Sequence, residues 1–202
     1  MTTNCNSHPS ESGRVDEIQH ASDRELLGQL IGMEAARSLY SGSLRPFFEP
    51  GDQLPPPASC IVARELVKRW LVEEVAQRPV FASPDSVKDF LKVHFAGREY
   101  ESFVVLYLNA QHCLIEWEEL FRGTLSQTSV YPREVVKSAL RHNAGAVMFA
   151  HNHPSGSPLP SRADEHLTQT LKTALSMVDV RVLDHFVVAG PGVMSFAERG
   201  ML

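Results

Sequence analysis

Apolar residues recur along this chain with more than one period, and the switches between periods divide it into elements. From Ala21, the stretch SDRELLGQLIGMEAARSLY spaces apolar side chains three and four apart, which predicts one or two helices. Ser22 stands as N-cap with Glu25 three residues on, a capping box, and Gly28 and Gly32 mark a break or a close approach. Ser41 to Ser59, with five prolines and two glycines, has no period. Ile61 resumes a helical pattern that runs to about Val75. Gln77 to Pro84 reads as a linker, and Ser83 or Asp85 starts a short helix that ends near His94.

Further on, the pattern changes to short apolar runs. Glu101 to Asn109 is β-branched and aromatic and predicts a buried strand, with His112 to Glu118 pairing back across a turn at Asn109-Ala-Gln. Pro132 to His142 predicts a helix with proline in its first turn, packed on the sheet. Gly145 to Ala150 is a run of six small or apolar residues that predicts a buried strand. From Ser161 a helical period returns, with Leu167, Leu171, Ala174, Leu175 and Val178 on one face. Val180 to Ala189 predicts another buried strand, followed by Gly190-Pro-Gly and a short terminal strand. Residues 1–20 are polar and aperiodic and read as a disordered tail. The fold class expected is α/β, a mixed, curved sheet flanked by helices, with a small all-α N-terminal region over 21–76.

Composition narrows the classes. A chain of 202 residues with 43% hydrophobic content can bury a core. No run approaches the roughly 18 apolar residues of a membrane helix, and the first twenty residues hold no apolar signal core, so a soluble, cytoplasmic protein without a membrane partner is expected. Cys5, Cys60 and Cys113 are far apart and never Cys-x-x-Cys, which predicts reduced thiols. The net charge of −5 gives no general attraction to a phosphate backbone. The densest basic cluster, Arg64, Lys68 and Arg69, reads as a solvated helix face.

Candidate chemistry gathers after Ala150. His151 and His153 are two apart at a strand end and can face the same way. The loop Pro154-Ser-Gly-Ser-Pro-Leu-Pro160 turns the chain, and Asp164 falls in the first turn of the next helix. Two imidazoles and a carboxylate with one position open is a catalytic Zn²⁺ arrangement. Ser161 and Asp164 also satisfy the simpler reading of a capping box. A water-activating base needs a carboxylate near a strand end; Glu101 is favoured, with Glu99, Glu116, Glu118 and Glu119 as rivals. His8, His20, His94 and His112 lack a matching partner, His142 suits a helix C-terminus, and His166 faces away from Asp164. Asp184 and His185 either orient a ligand or are strand-end structure.

The spacing His-x-His-Pro, with Ser eight and Asp eleven residues after the second histidine, resembles the JAMM (MPN+) metalloprotease motif. HNHPSGSPLPSRAD resembles its RadC form, as do GT-x-x-x-x-x-VYPREV-x-x-x-AL-x-x-NA upstream and LDHFVV downstream, so the likeness spans roughly residues 80–202. The resemblance implies a JAMM/MPN, cytidine-deaminase-like fold. It also implies a zinc hydrolase, a peptidase or isopeptidase in which a zinc-activated water attacks an amide carbonyl. His151, His153 and Asp164 would hold the metal; Glu101, directly before its hydrophobic strand, would move the proton, and Ser161 would steady the oxyanion. The competing class is a DNA repair or recombination accessory with a structural zinc. In RadC-like proteins the N-terminal region resembles helix-hairpin-helix units; SDRELLGQLIG and ARELVKRWL are similar, but the middle is short and has no Gly-x-Gly hairpin. A zinc deaminase would need His-x-Glu and Pro-Cys-x-x-Cys, and a thermolysin-like enzyme His-Glu-x-x-His; none occurs.

Overall fold

The structure, a computed structural model, describes residues 17–49, 55–77, 79–80, 84–123 and 130–202. The readings made of residues 1–16, Cys5 and His8 included, and of Ser83 as a cap lie outside the described residues, as do positions 124–129 within the GT-x-x-x-x-x-VYPREV stretch. Residues 17–20 are helical, which corrects the expected end of the polar tail. The chain forms two compact units, Met1–Ala63 and Arg64–Leu202.

In the first unit, α1 (Asp23–Ile31) opens with the capping box read from the sequence: the Ser22 hydroxyl accepts from Glu25 N–H, and Glu25 accepts from Ser22 N–H at 2.7 Å. Gly32, with φ of 90°, ends α1 and starts α2 (Met33–Leu39). A four-residue helix, α3 (Arg45–Phe48), lies within the proline-rich stretch that showed no period; one turn is too short to display one. α4 (Ala58–Gln77), whose residues from Arg64 on belong to the second unit, starts three residues earlier than its apolar pattern does, directly after Pro55, Pro56 and Pro57. Leu27, Ala36, Phe47 and Cys60 are the buried centre of this unit.

The second unit is built on a five-stranded sheet in the order β2-β1-β3-β4-β5: β1 (Ser102–Leu108), β2 (Leu114–Arg122), β3 (Ala146–Asn152), β4 (Arg181–Ala189) and β5 (Gly192–Ser195). Only the β3–β4 pair is parallel, so the sheet is mixed. Three helices belong with it: α5 (Pro84–Phe95), α6 (Pro132–Arg141) and α7 (Arg162–Ser176). Every residue of β1 and β3 is buried, because both faces are covered. Val104, Leu106, Met148 and Ala150 pack with Phe90 and Leu91 of α5. The alternate residues Phe103, Val105, Val147 and Phe149 pack with Val135 and Ala139 of α6 and Leu171 and Leu175 of α7. The result is a helix–sheet–helix sandwich.

Most strand ends fall within a residue of expectation; β2 runs on to Arg122, four residues past Glu118, and two further boundaries differ for a local reason. β2 begins at Leu114, two residues late, because His112 sits at φ of 62° inside the turn, where Asn109 Oδ1 accepts from the Gln111 and Cys113 amides at 2.9 Å each. β3 does not stop before the histidines: His151 is paired with Phe103 on one side and Val187 on the other. The ladder carries on to His153, whose N–H donates to Val188 O at 2.8 Å.

Candidate metal centre

The site forms where β3 leaves the sheet. His151, as an odd-numbered strand residue, faces α7, and its ring lies parallel to that of Phe103. Asn152 faces the other way and clamps the start of β1: its Oδ1 accepts from Ser102 N–H at 2.9 Å and its Nδ2 donates to Tyr100 O at 2.9 Å. His153 is set by the loop that follows, which closes on Gly156 at φ of 84° with Gly156 N–H donating to His153 O. His153 Nδ1 lies 2.8 Å from Ser157 O. A carbonyl only accepts, so that nitrogen carries the ring proton and a neutral His153 presents Nε2 as a lone pair.

Asp164 arrives from the first turn of α7, and the two readings of its motif turn out to be compatible. Asp164 Oδ2 accepts from both the N–H and the hydroxyl of Ser161 at 2.7 Å, completing the capping box. Oδ1 lies 3.3 Å from His151 Nε2, and Oδ2 lies 3.5 Å from His153 Nε2. The two Nε2 atoms are 3.0 Å apart. One ligand atom from each residue falls within a span of 4.8 Å. Two imidazole nitrogens and a carboxylate oxygen form a donor set complementary to a divalent cation. Burial pushes the Asp164 carboxyl up, but the neighbouring imidazoles of His151 and His153, with the Ser161 hydroxyl, outweigh it and hold the group well below the usual carboxylate range. His153 is raised, first by its hydrogen bond with Asp164, against an opposing effect of burial and with help from the charge of Glu101.

These three side chains open onto a cleft of about 430 Å³ whose walls include Glu101, Ser161, Phe103, Val130 and Leu167. Of the five carboxylates weighed as a base, Glu101 lines the cleft and the other four do not. Glu118 is engaged by Ser138 and Arg141, Glu119 by Arg98, and Glu99 and Glu116 are exposed. Ser161 shares the cleft, with its one hydroxyl proton directed to Asp164.

Asp184 and His185, read together from the sequence, part company. As neighbours on β4 they face opposite sides of the sheet: Asp184 accepts from the Ser195 hydroxyl at 2.6 Å and from Ala197 N–H at 3.0 Å, while His185 Nε2 lies 2.9 Å from His151 Nδ1. Burial pushes His185 well below its ordinary value, so the ring is neutral. Thr168, which the sequence reading passed over, has its hydroxyl 2.6 Å from His185 Nδ1. Its signal was weak, a polar residue four after Asp164 on the same face of an otherwise apolar helix stripe. His142 stacks on Tyr107 beside Glu118, His94 is buried, and His166 is exposed; none approaches the cluster.

A family model described as a RadC-like JAB domain matches residues 81–201. A UPF0758 protein of Leptothrix cholodnii is 62% identical over 138 residues, 68% of this chain and 62% of the relative. Another from Methylibium petroleiphilum is likewise 62% identical over 138 residues, again 68% of this chain and 62% of the relative. One from Variovorax paradoxus is 59% identical over 145 residues, 72% of this chain and 64% of the relative. The chain therefore spans about three fifths of the length of these curated relatives, whose names state no activity.

Proposed function

Given that this chain belongs to the RadC family, with its JAB domain over residues 81–201, we propose that it is a metal-dependent hydrolase of amide bonds, with Zn²⁺ as its ion and a peptide or isopeptide as its substrate. The observation that carries the reading is the convergence of His151, His153 and Asp164 at one end of a cleft that also presents Glu101. A bound divalent ion supplies Lewis acidity, lowering the pKa of a water and polarising a carbonyl.

The chain's own residues do the rest. In this reading Glu101, on the wall of the cleft, takes the proton of the attacking water and returns it to the leaving amine. Ser161 can donate to the developing oxyanion if its proton turns from Asp164; the Ser161 N–H bond to Oδ2 still holds the carboxylate while it does so. Phe103, Val130 and Leu167 form an apolar wall that excludes water beside the reacting carbonyl. A formal net charge of −5 favours an amide substrate over a phosphate backbone.

Metal analysis of purified wild type beside Asp164→Ala and Glu101→Gln tests this, followed by cleavage of a library of peptides and isopeptide-linked pairs. Expected are stoichiometric zinc in the wild type, its loss in Asp164→Ala, and in Glu101→Gln retained zinc with cleavage reduced about 10²- to 10⁴-fold. Absence of zinc from the wild type overturns the reading. Zinc retained without cleavage of any library member would favour the alternative, an accessory of DNA repair in which the metal holds the fold.

A further inference from the structure

Two residues outside the candidate metal cluster join two of its members by a run of hydrogen bonds. The Thr168 hydroxyl lies 2.6 Å from the main-chain O of Asp164 and 2.6 Å from His185 Nδ1. It has a single proton. The carbonyl can only accept, so the proton goes to Asp164 O, and the hydroxyl oxygen must then accept from His185 Nδ1–H. His185 is fully buried against Phe103, Phe149 and Phe196, surroundings that hold a neutral ring. A neutral imidazole with its proton on Nδ1 accepts at Nε2, so His151 Nδ1 must donate to it across 2.9 Å. The remaining nitrogen of His151, Nε2, is the atom that faces Asp164 and His153.

We infer that Thr168 and His185 are positioning residues: they keep the ring proton of His151 on Nδ1, so that Nε2 is bare toward the metal, and they tie Asp164 on α7 to His151 on β3. The inference rests on the metal reading proposed above and deepens it. Without the Thr168 hydroxyl, His185 Nδ1–H loses its acceptor. The His185 proton is then better placed on Nε2, where it donates to His151 Nδ1 and drives the His151 proton onto the ligating nitrogen. Thr168 is 3% exposed and is not among the residues that line the cleft; its hydroxyl reaches the candidate site through Asp164 O and through His185, and the ring-proton readout isolates the second route.

The test uses Thr168→Val, which keeps the shape and deletes the hydroxyl, and Thr168→Ser, which keeps the hydroxyl. ¹⁵N-labelled histidine read by two-bond ¹H–¹⁵N correlation locates the ring protons, and competition with a chromophoric chelator measures Zn²⁺ affinity. Wild type should show Nδ1 protonated in His151 and His185, with His185 Nε2 bare. Thr168→Val should move the His185 proton to Nε2 and weaken zinc about 10- to 100-fold, and Thr168→Ser should restore both. A wild-type His185 protonated on Nε2 overturns the inference without any variant. So does a Thr168→Val protein with unchanged zinc affinity, or one that loses affinity while the ring protons stay in place, the mark of a merely structural role. Failure of the wild type to bind zinc would fall on the hydrolase reading, and the ring spectra would still decide the relay.

Discussion

His94 shows how strongly single residues of this fold respond to their surroundings. It is 7% exposed, packed among the rings of Phe90, Phe95 and Trp117, and Arg98 Nη2 lies 3.0 Å from its Nε2. The guanidinium only donates, so the ring proton sits on Nδ1, which has no hydrogen-bond partner among the described residues. Burial, with Arg98 and Lys68 adding positive charge, pushes this imidazole down to about 3; Glu119, 3.9 Å away, does not offset it. Above the ordinary value of about 6.5 neither folded nor unfolded chain is charged here. Between 6.5 and 3 the unfolded chain takes up a proton that the folded one refuses, so stability falls as pH falls, by about 1.4 kcal/mol per pH unit. Relative to His94→Leu, the wild type should therefore lose about 2 kcal/mol between pH 6.5 and pH 5 in urea unfolding. Parallel pH profiles for the two proteins would show that His94 is not held neutral. The same residue-level logic separates what the sequence made legible from what it left open between two readings. His151, His153 and Asp164 sit within fourteen residues, so local spacing exposes them. His185 is 34 residues from His151 and meets it through the parallel β3–β4 pairing, which no local pattern encodes.

At the scale of elements, the start of α7 joins folding to chemistry. Ser161 caps the helix and at the same time holds the carboxylate of Asp164 by two bonds of 2.7 Å, one from its N–H and one from its hydroxyl. Ser161→Ala should cost about 1 kcal/mol of stability from the lost cap. It should also weaken zinc, because one of the bonds that orient Asp164 is gone. Ser161→Thr should keep both properties near wild type. Urea midpoints and chelator competition on the three proteins check this, and a Ser161→Ala protein with unaltered zinc affinity would reduce the serine to a role in turnover alone. Deeper in the same helix Leu171 is fully buried between α7 and the sheet, so Leu171→Ala should cost about 2–5 kcal/mol in the same assay. Helices and strands of this kind were readable because burial repeats with their own periods. The ends were less so: β3 runs through His151 because pairing with β1 and β4 on both sides outlasts the apolar run.

At the scale of the whole molecule, the candidate metal site lies in one of two compact units. His151, His153, Asp164, Glu101, Thr168 and His185 all fall within Arg64–Leu202, and so do both tryptophans, Trp70 and Trp117. Tryptophan fluorescence therefore reports on the unit that holds the site. Among the described residues no helix is long and apolar enough to cross a membrane. A ligand that binds only the folded form stabilises it by RT ln(1 + [L]/Kd), about 2.7 kcal/mol when free zinc is a hundred times Kd. For a unit of this size that is roughly 5–10 °C in the fluorescence-detected midpoint. The shift should appear on adding Zn²⁺, reverse with a chelator, and vanish in Asp164→Ala, whereas Glu101→Gln should keep a shift. An identical zinc effect in Asp164→Ala would place the ion elsewhere on the chain, and the sheet end at His151 would then be a structural junction instead of a metal centre.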